Sequence, residues 1–165
     1  MSNTVTICDS SNQILAGLLS GDVSFRPNVM YVEFQSGSEP VTVPEPKPSD
    51  NHGKYFLDMR ENTHSERDFI RIPIVSVTPV AAQGSNDIIV YFNGICTGAT
   101  GVGGKSTLNS RIYGISLANS PTYGKEIDDL TRDIVWARGY FDTANQMQFS
   151  SVAQTIVTFK LNLTT

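Results

Sequence analysis

The chain has 165 residues, enough for one domain with a sizeable core, and 39% are hydrophobic, which favours a folded protein over a disordered one. Charged residues make up only 17%, against roughly 25% in ordinary soluble domains. Net charge is −4 and the 12 basic residues are scattered, which argues against an electrostatic nucleic-acid surface; no run of about 18 apolar residues is present to span a membrane.

Thr4-Val5-Thr6-Ile7-Cys8-Asp9 reads as a short strand. No basic segment precedes an apolar stretch, so no signal peptide is expected. Ile14, Leu15, Leu18 and Leu19 then recur at helical spacing. Asp9, Ser10 or Ser11 would cap the start of that helix and Gly21 its end, with Gly17 weakening the middle. Val29 to Phe34 is a strand. Pro40, Pro44, Pro46 and Pro48 are half of the chain's eight prolines. They exclude a central strand, and residues 38–52 read as an extended loop or arm. Tyr55-Phe56-Leu57 is a short apolar run.

Phe69 to Val80 is the next strand, with Ile70, Ile72 and Ile74 on one face. Pro73 on the other predicts an edge or a bulge. Gln83-Gly84-Ser85-Asn86 is a turn, and Ile88 to Ile95 is a strand. Gly98 to Thr107 follows, and Gly104-Lys105-Ser106 resembles the end of a nucleotide-binding P-loop. That motif requires a leading glycine at position 99, which is Ala99. It must also open into a helix whose N-terminus holds the phosphates. Here Tyr113, Ile115 and Leu117 alternate with Gly114 and Ser116, a strand pattern. The loop reads as a glycine turn between antiparallel strands.

Arg111 to Leu117 is therefore a strand. Ile127, Leu130 and Ile134 could line a short helix in the acidic stretch 124–133. Ile134 to Phe141, with the only tryptophan, Trp136, is strand-like. The last strand is the cleanest, with Val157, Phe159, Leu161 and Leu163 alternating with Thr158, Lys160 and Asn162. The expected fold is mainly β: an antiparallel sandwich or jelly roll in one domain, with one short N-terminal helix.

No residue set points to catalysis, a metal or a cofactor. His52 and His64 lie in polar stretches outside any zinc motif. Glu126, Asp128, Asp129 and Asp133 do not have calcium-loop spacing and read as a solvated turn. Cys8 and Cys96 read as buried free thiols, and a disulfide between them stays open. The six tyrosines could stack on sugars or anchor an interface, although most suit a half-buried sheet.

Arg67-Asp68-Phe69-Ile70-Arg71-Ile72-Pro73-Ile74 resembles a segment of small structural proteins of tailed bacteriophages. So does Ile112 to Ala118 together with Val135 to Phe141. The resemblance covers roughly residues 25–163. It implies a virion component (a tail or fibre-attachment protein, or a capsid cement protein) that assembles with itself, as a homotrimer, and with other particle proteins. The surfaces expected to make contact are Ile14, Leu15, Leu18 and Leu19 on the helix, Pro40, Pro44, Pro46 and Pro48 on the arm, and the glycine loop with Gly101 and Gly103. The rival reading is a carbohydrate-binding module of a receptor-binding fibre.

Overall fold

The computed structural model describes residues 4–43, 45–98, 100–149 and 155–163. In chain order these form β1 (Thr4–Ile7), α1 (Ser11–Leu19), β2 (Val29–Ser36), α2 (Gly53–Asn62), β3 (Arg67–Ala81), β4 (Ile88–Cys96), β5 (Ser110–Asn119), β6 (Ile134–Tyr140), β7 (Met147–Gln148) and β8 (Thr155–Leu163). The chain is mainly β, as its alternating segments predict.

All the strands lie on one antiparallel path, β1-β6-β5-β2-β3-β4-β8, with β7 beside β5. The sheet is curled. Phe92 on β4 and Trp136 on β6 are four strands apart along the path. Their rings nevertheless meet edge to face at 6.3 Å. The concave side holds the larger core, including Met30, Val32 and Phe34 of β2, Ile70 and Ile72 of β3, and Leu117, Phe92 and Phe159. The alternate residues of β2, Val29 and Tyr31, turn to the convex side with Phe56 and Phe69. This period of two is what puts a hydrophobic layer on each side of the sheet.

The convex layer is covered by α2, a second helix where only one was expected. Phe56 and Met59 lie three residues apart and are buried, and Phe56 packs against Tyr31 and Phe69 of the sheet. Lys54 and Asp58, one turn apart on its exposed face, pair at 2.7 Å. Tyr31 meets Phe56 edge to face at 4.4 Å. The approach is close enough to require Gly53: a Cβ there would overlap the Leu130 carbonyl oxygen and meet the Tyr31 hydroxyl at 2.8 Å. Conversely, the short helix anticipated within 124–133 is a turn with a single 3-10 turn at Leu130–Arg132, and Ile127 is exposed.

In α1 only Ile14 is buried, while Leu15 and Leu19 face solvent and Leu18 is half-buried. Ser10 occupies the N-cap position but its hydroxyl donates to the Val135 carbonyl instead, at 2.5 Å, tying the helix to β6. Gly21, with φ +90°, follows the helix end.

Candidate assembly surface

β2 accompanies β3 only as far as Pro73. Beyond that point β3 pairs with β4 alone, and β4 with β8, giving a three-stranded ribbon that continues past the body of the sheet. A bulge between Ile74 and Ser76 controls which side chains this extension presents. It inserts one extra residue, so Val77, Pro79 and Ala81 continue the concave face begun by Ile70, Ile72 and Ile74.

Across the ribbon, residues of the concave face stand abreast in three rows: Val77, Phe92 and Phe159; Pro79, Val90 and Leu161; Ala81, Ile88 and Leu163. All nine are apolar. The first row closes over the core, with Phe92 and Phe159 buried. Val77, at the β3 end of that row, is 50% exposed, and toward the tip the cover runs out, with Ile88 43% and Leu163 49% exposed. The opposite face is mostly polar. There the Asn93 amide donates to the Ser76 hydroxyl at 3.1 Å and accepts from Thr158 at 2.8 Å, and Lys160 lies 6.0 Å from the Tyr91 ring.

The glycine loop is closed by its own protein. The Asp68 carboxylate accepts from the backbone N–H groups of Gly103 (2.8 and 3.0 Å) and Lys105 (3.0 Å). Curled amides of this kind are the anion-binding part of a P-loop, and here a fully buried side chain occupies them. After Lys105 the backbone makes a bridge between Ser106 and Thr100, a turn, and then β5. No helix follows the lysine. Gly101 is buried against Asp68, and Gly103 is exposed beside Arg60.

The proline arm lies along its own subunit. Val41 and Gln146 exchange two hydrogen bonds, 2.6 and 2.5 Å, and the Asp9 N–H donates to the Pro48 carbonyl at 3.0 Å. Pro46 is buried, whereas Pro40 and Pro48 are exposed; Pro44 lies outside the described residues. The arm and α2 enclose a hollow of about 390 Å³ lined by Tyr55, Tyr140, Asp50, Asp58, Asn62 and Arg67, among others.

Beneath that hollow is a charged pair with no signal in the sequence pattern. Glu33 and Arg138 are both completely buried, 3.9 Å apart. The guanidinium stacks over Tyr55 at 4.4 Å and donates to the Tyr140 hydroxyl at 2.5 Å. Burial raises the Glu33 carboxyl above its ordinary value against the opposing pull of Arg138, Arg67 and the Tyr113 hydroxyl. Burial also disfavours the Arg138 charge, but Glu33 and the surrounding tyrosines outweigh it. In the register Glu33 opposes Gly114 of β5 and Gly114 opposes Tyr140 of β6, while Arg138 lies two residues along β6 opposite Ser116, so the pair meets diagonally across β5. Gly114 leaves the space into which the carboxylate fits.

A second polar knot absorbs the acidic turn. Arg71 pairs with Asp133 at 2.9 Å and Asp128 at 3.0 Å, and the Tyr31 hydroxyl donates to Asp133 at 2.5 Å. Asp129 accepts from the Thr131 N–H at 3.1 Å within the 3-10 turn, and Glu126 is exposed. Among the described residues no group of three or more histidines, cysteines or acids is placed to hold a metal ion. His52 is exposed at the start of α2, and His64 meets Glu66 at 3.0 Å. Cys8 and Cys96 are both buried and free.

No protein-family model, curated protein or solved structure matches this chain.

Proposed function

We propose that this chain is a structural assembly protein of a virion, a tail, fibre-attachment or capsid cement component, and that the concave face of the β3–β4–β8 ribbon is its working contact. The observation that carries the reading is the uncovered part of that face. Val77, Ile88 and Leu163 stand half-exposed on a three-stranded ribbon whose concave face is continuous with the core. Packing a partner against them removes apolar area worth about 25 cal/mol per Å². The face carries no charge, so a partner need desolvate none there. Exposed Leu15 and Leu19 on α1 offer a second apolar contact. We also infer that the two halves of the curled sheet, sharing β3, pack as a bent sandwich, with the bulge in β3 at the corner. The oligomer we propose is a homotrimer in the particle, joined to other virion proteins.

Light scattering after size exclusion tests this reading, with Val77→Asp and Leu163→Asp as variants. The expected result is an oligomer that both substitutions dissociate while the circular dichroism stays unchanged. A wild-type chain that is monomeric at every concentration and joins no particle would end the proposal.

One observation favours a carbohydrate-binding module as the second reading. The hollow under the arm sets the half-buried ring of Tyr55 beside Asp50, Asp58 and Asn62. Aromatic faces beside acids and amides suit a sugar's apolar face and its hydroxyls. A glycan array probed with wild type and Tyr55→Ala tests it; no hits for the wild type would remove it.

A further inference from the structure

We propose that the seam between β8 and the β5–β6–β1 side of the curled sheet is an acceptor groove for one extended strand of a partner protein, with apolar side chains at every second position. This rests on the assembly reading above and names the form in which the partner arrives.

The sheet path ends at β1 and β8, and the outer half of β3 is a third free edge. Exposed edges invite pairing, and proteins blunt them by shortness, proline or cover. β1 has only four residues, and Thr6 there donates to the Pro46 carbonyl of the arm at 3.4 Å. The free part of β3 carries Pro79, which has no N–H to offer. Among the described residues β8 has none of these protections: it is nine residues long and contains no proline. Among the described residues no main-chain hydrogen bond reaches its outer edge.

That edge runs along two apolar hollows, about 170 and 210 Å³, which share Ile115 and Phe141 and so form one groove. Val5 and Phe159 line one end, Met147 and Ile156 the other. Met147 is 58% exposed and Ile156 73%. Two side-chain hollows beside a row of unpaired N–H and C=O groups are the two halves of strand addition: main-chain bonds give affinity, and alternate pockets give selection. A lipid chain or other apolar small molecule would fill the hollows but leave the edge groups unmatched. Among the described residues, Lys160 is the only charged one lining the groove. It favours a carboxylate on the partner strand.

The test titrates the intact protein with a fluorescein-labelled peptide, Thr-Ile-Val-Thr-Phe-Glu-Leu-Asn-Leu, which has the alternation of β8 and an acid in place of its lysine. Its partners in the experiment are the same peptide N-methylated at alternate residues, in both registers, and the Met147→Lys/Ile156→Lys protein. Both changed residues are mostly exposed, so the fold is expected to survive, which circular dichroism verifies. The expected result is saturable anisotropy with wild type. N-methylation in one register at least, and the double variant, weaken it by about tenfold or more. Absence of saturable binding overturns the proposal, and so does equal binding by both N-methylated peptides or by the double variant. Val77→Asp and Leu163→Asp, which test the ribbon face, leave the seam residues in place. An oligomer that those variants dissociate but that ignores the peptide sinks the groove alone. A chain that binds the peptide but never assembles sinks the ribbon reading alone.

Discussion

Asp68 and Gly103 are joined by two hydrogen bonds, 2.8 and 3.0 Å, from one backbone N–H to both oxygens of a buried carboxylate. Lys105 adds a third contact at 3.0 Å, and the Phe69 N–H donates to the same side chain at 2.9 Å. Asp68→Ala therefore strands several backbone donors at once. The expected loss is about 1–3 kcal/mol, because the buried Phe69 N–H loses its partner without regaining water, whereas the part-buried Gly103 and Lys105 N–H groups regain some. Asp68→Asn, which keeps an acceptor oxygen but brings an N–H₂ against the donors, falls between. Urea midpoints of the three proteins check the order; an Asp68→Ala midpoint equal to wild type would mean that the clamp adds nothing.

Gly53 tests the docking of α2. A methyl group there would strike the Leu130 carbonyl, a backbone atom that cannot swing aside. Gly53→Ala raises helix propensity yet is expected to destabilise by about 1–3 kcal/mol, since overpacking outweighs propensity at a closed contact. A thermal midpoint raised above wild type would contradict the close approach.

These two sites mark where the sequence was readable and where it was not. The period of two in Val157 to Leu163 predicts which side chains are buried, and Val157 and Phe159 are. The same period in Tyr113 to Leu117 correctly predicts that the glycine loop leads into a strand. Local pattern could not reveal Asp68 as the loop's anchor, because the partners lie 35 and 37 residues apart. The α2 helix escaped because its apolar residues begin as a consecutive run, Tyr55-Phe56-Leu57, and only Phe56 and Met59 show helical spacing. Glu33 was invisible for another reason. A lone acid in a buried strand is understood only through a partner, and Arg138 is supplied from two strands away. The uncovered ribbon face depends on the Ile74–Ser76 bulge, which composition does not announce.

Burial pushes the Cys8 thiol up to about 11 and the Cys96 thiol up to about 12. The thiolate is the reactive form, so native protein at pH 8 is expected to react with iodoacetamide about a hundredfold or more slower than unfolded protein. Mass spectrometry checks it: no label in the native state, and two labels in guanidinium, one for each free cysteine. A denatured chain that takes up label only after reduction would instead mean a disulfide.

The Glu33–Arg138 pair gives a pH-dependent test of the buried polar layer. Removing one member of such a pair leaves the other charge buried alone, which costs about 3–5 kcal/mol. Arg138→Met is expected to cost that much at pH 7. Burial already holds the Glu33 carboxyl above its ordinary value by disfavouring its charge, and loss of the guanidinium drives it higher. Below pH 4.5 the carboxyl is protonated in both folded and unfolded chains, so the charge penalty is absent. As pH rises from 4.5 through the folded value, the unfolded chain releases its proton first, and stability from this site is lost. The deficit of Arg138→Met relative to wild type should therefore shrink between pH 7 and pH 4.5, leaving the lost packing over Tyr55 and the lost hydrogen bond to Tyr140. Arg138 also meets Asp50 at 3.5 Å, so the comparison is made in an Asp50→Asn background, where the remaining carboxylates titrate in both proteins and cancel in the difference. Urea denaturation of both at the two pH values measures it, and a deficit that does not change with pH would remove Glu33 as the unpaired charge.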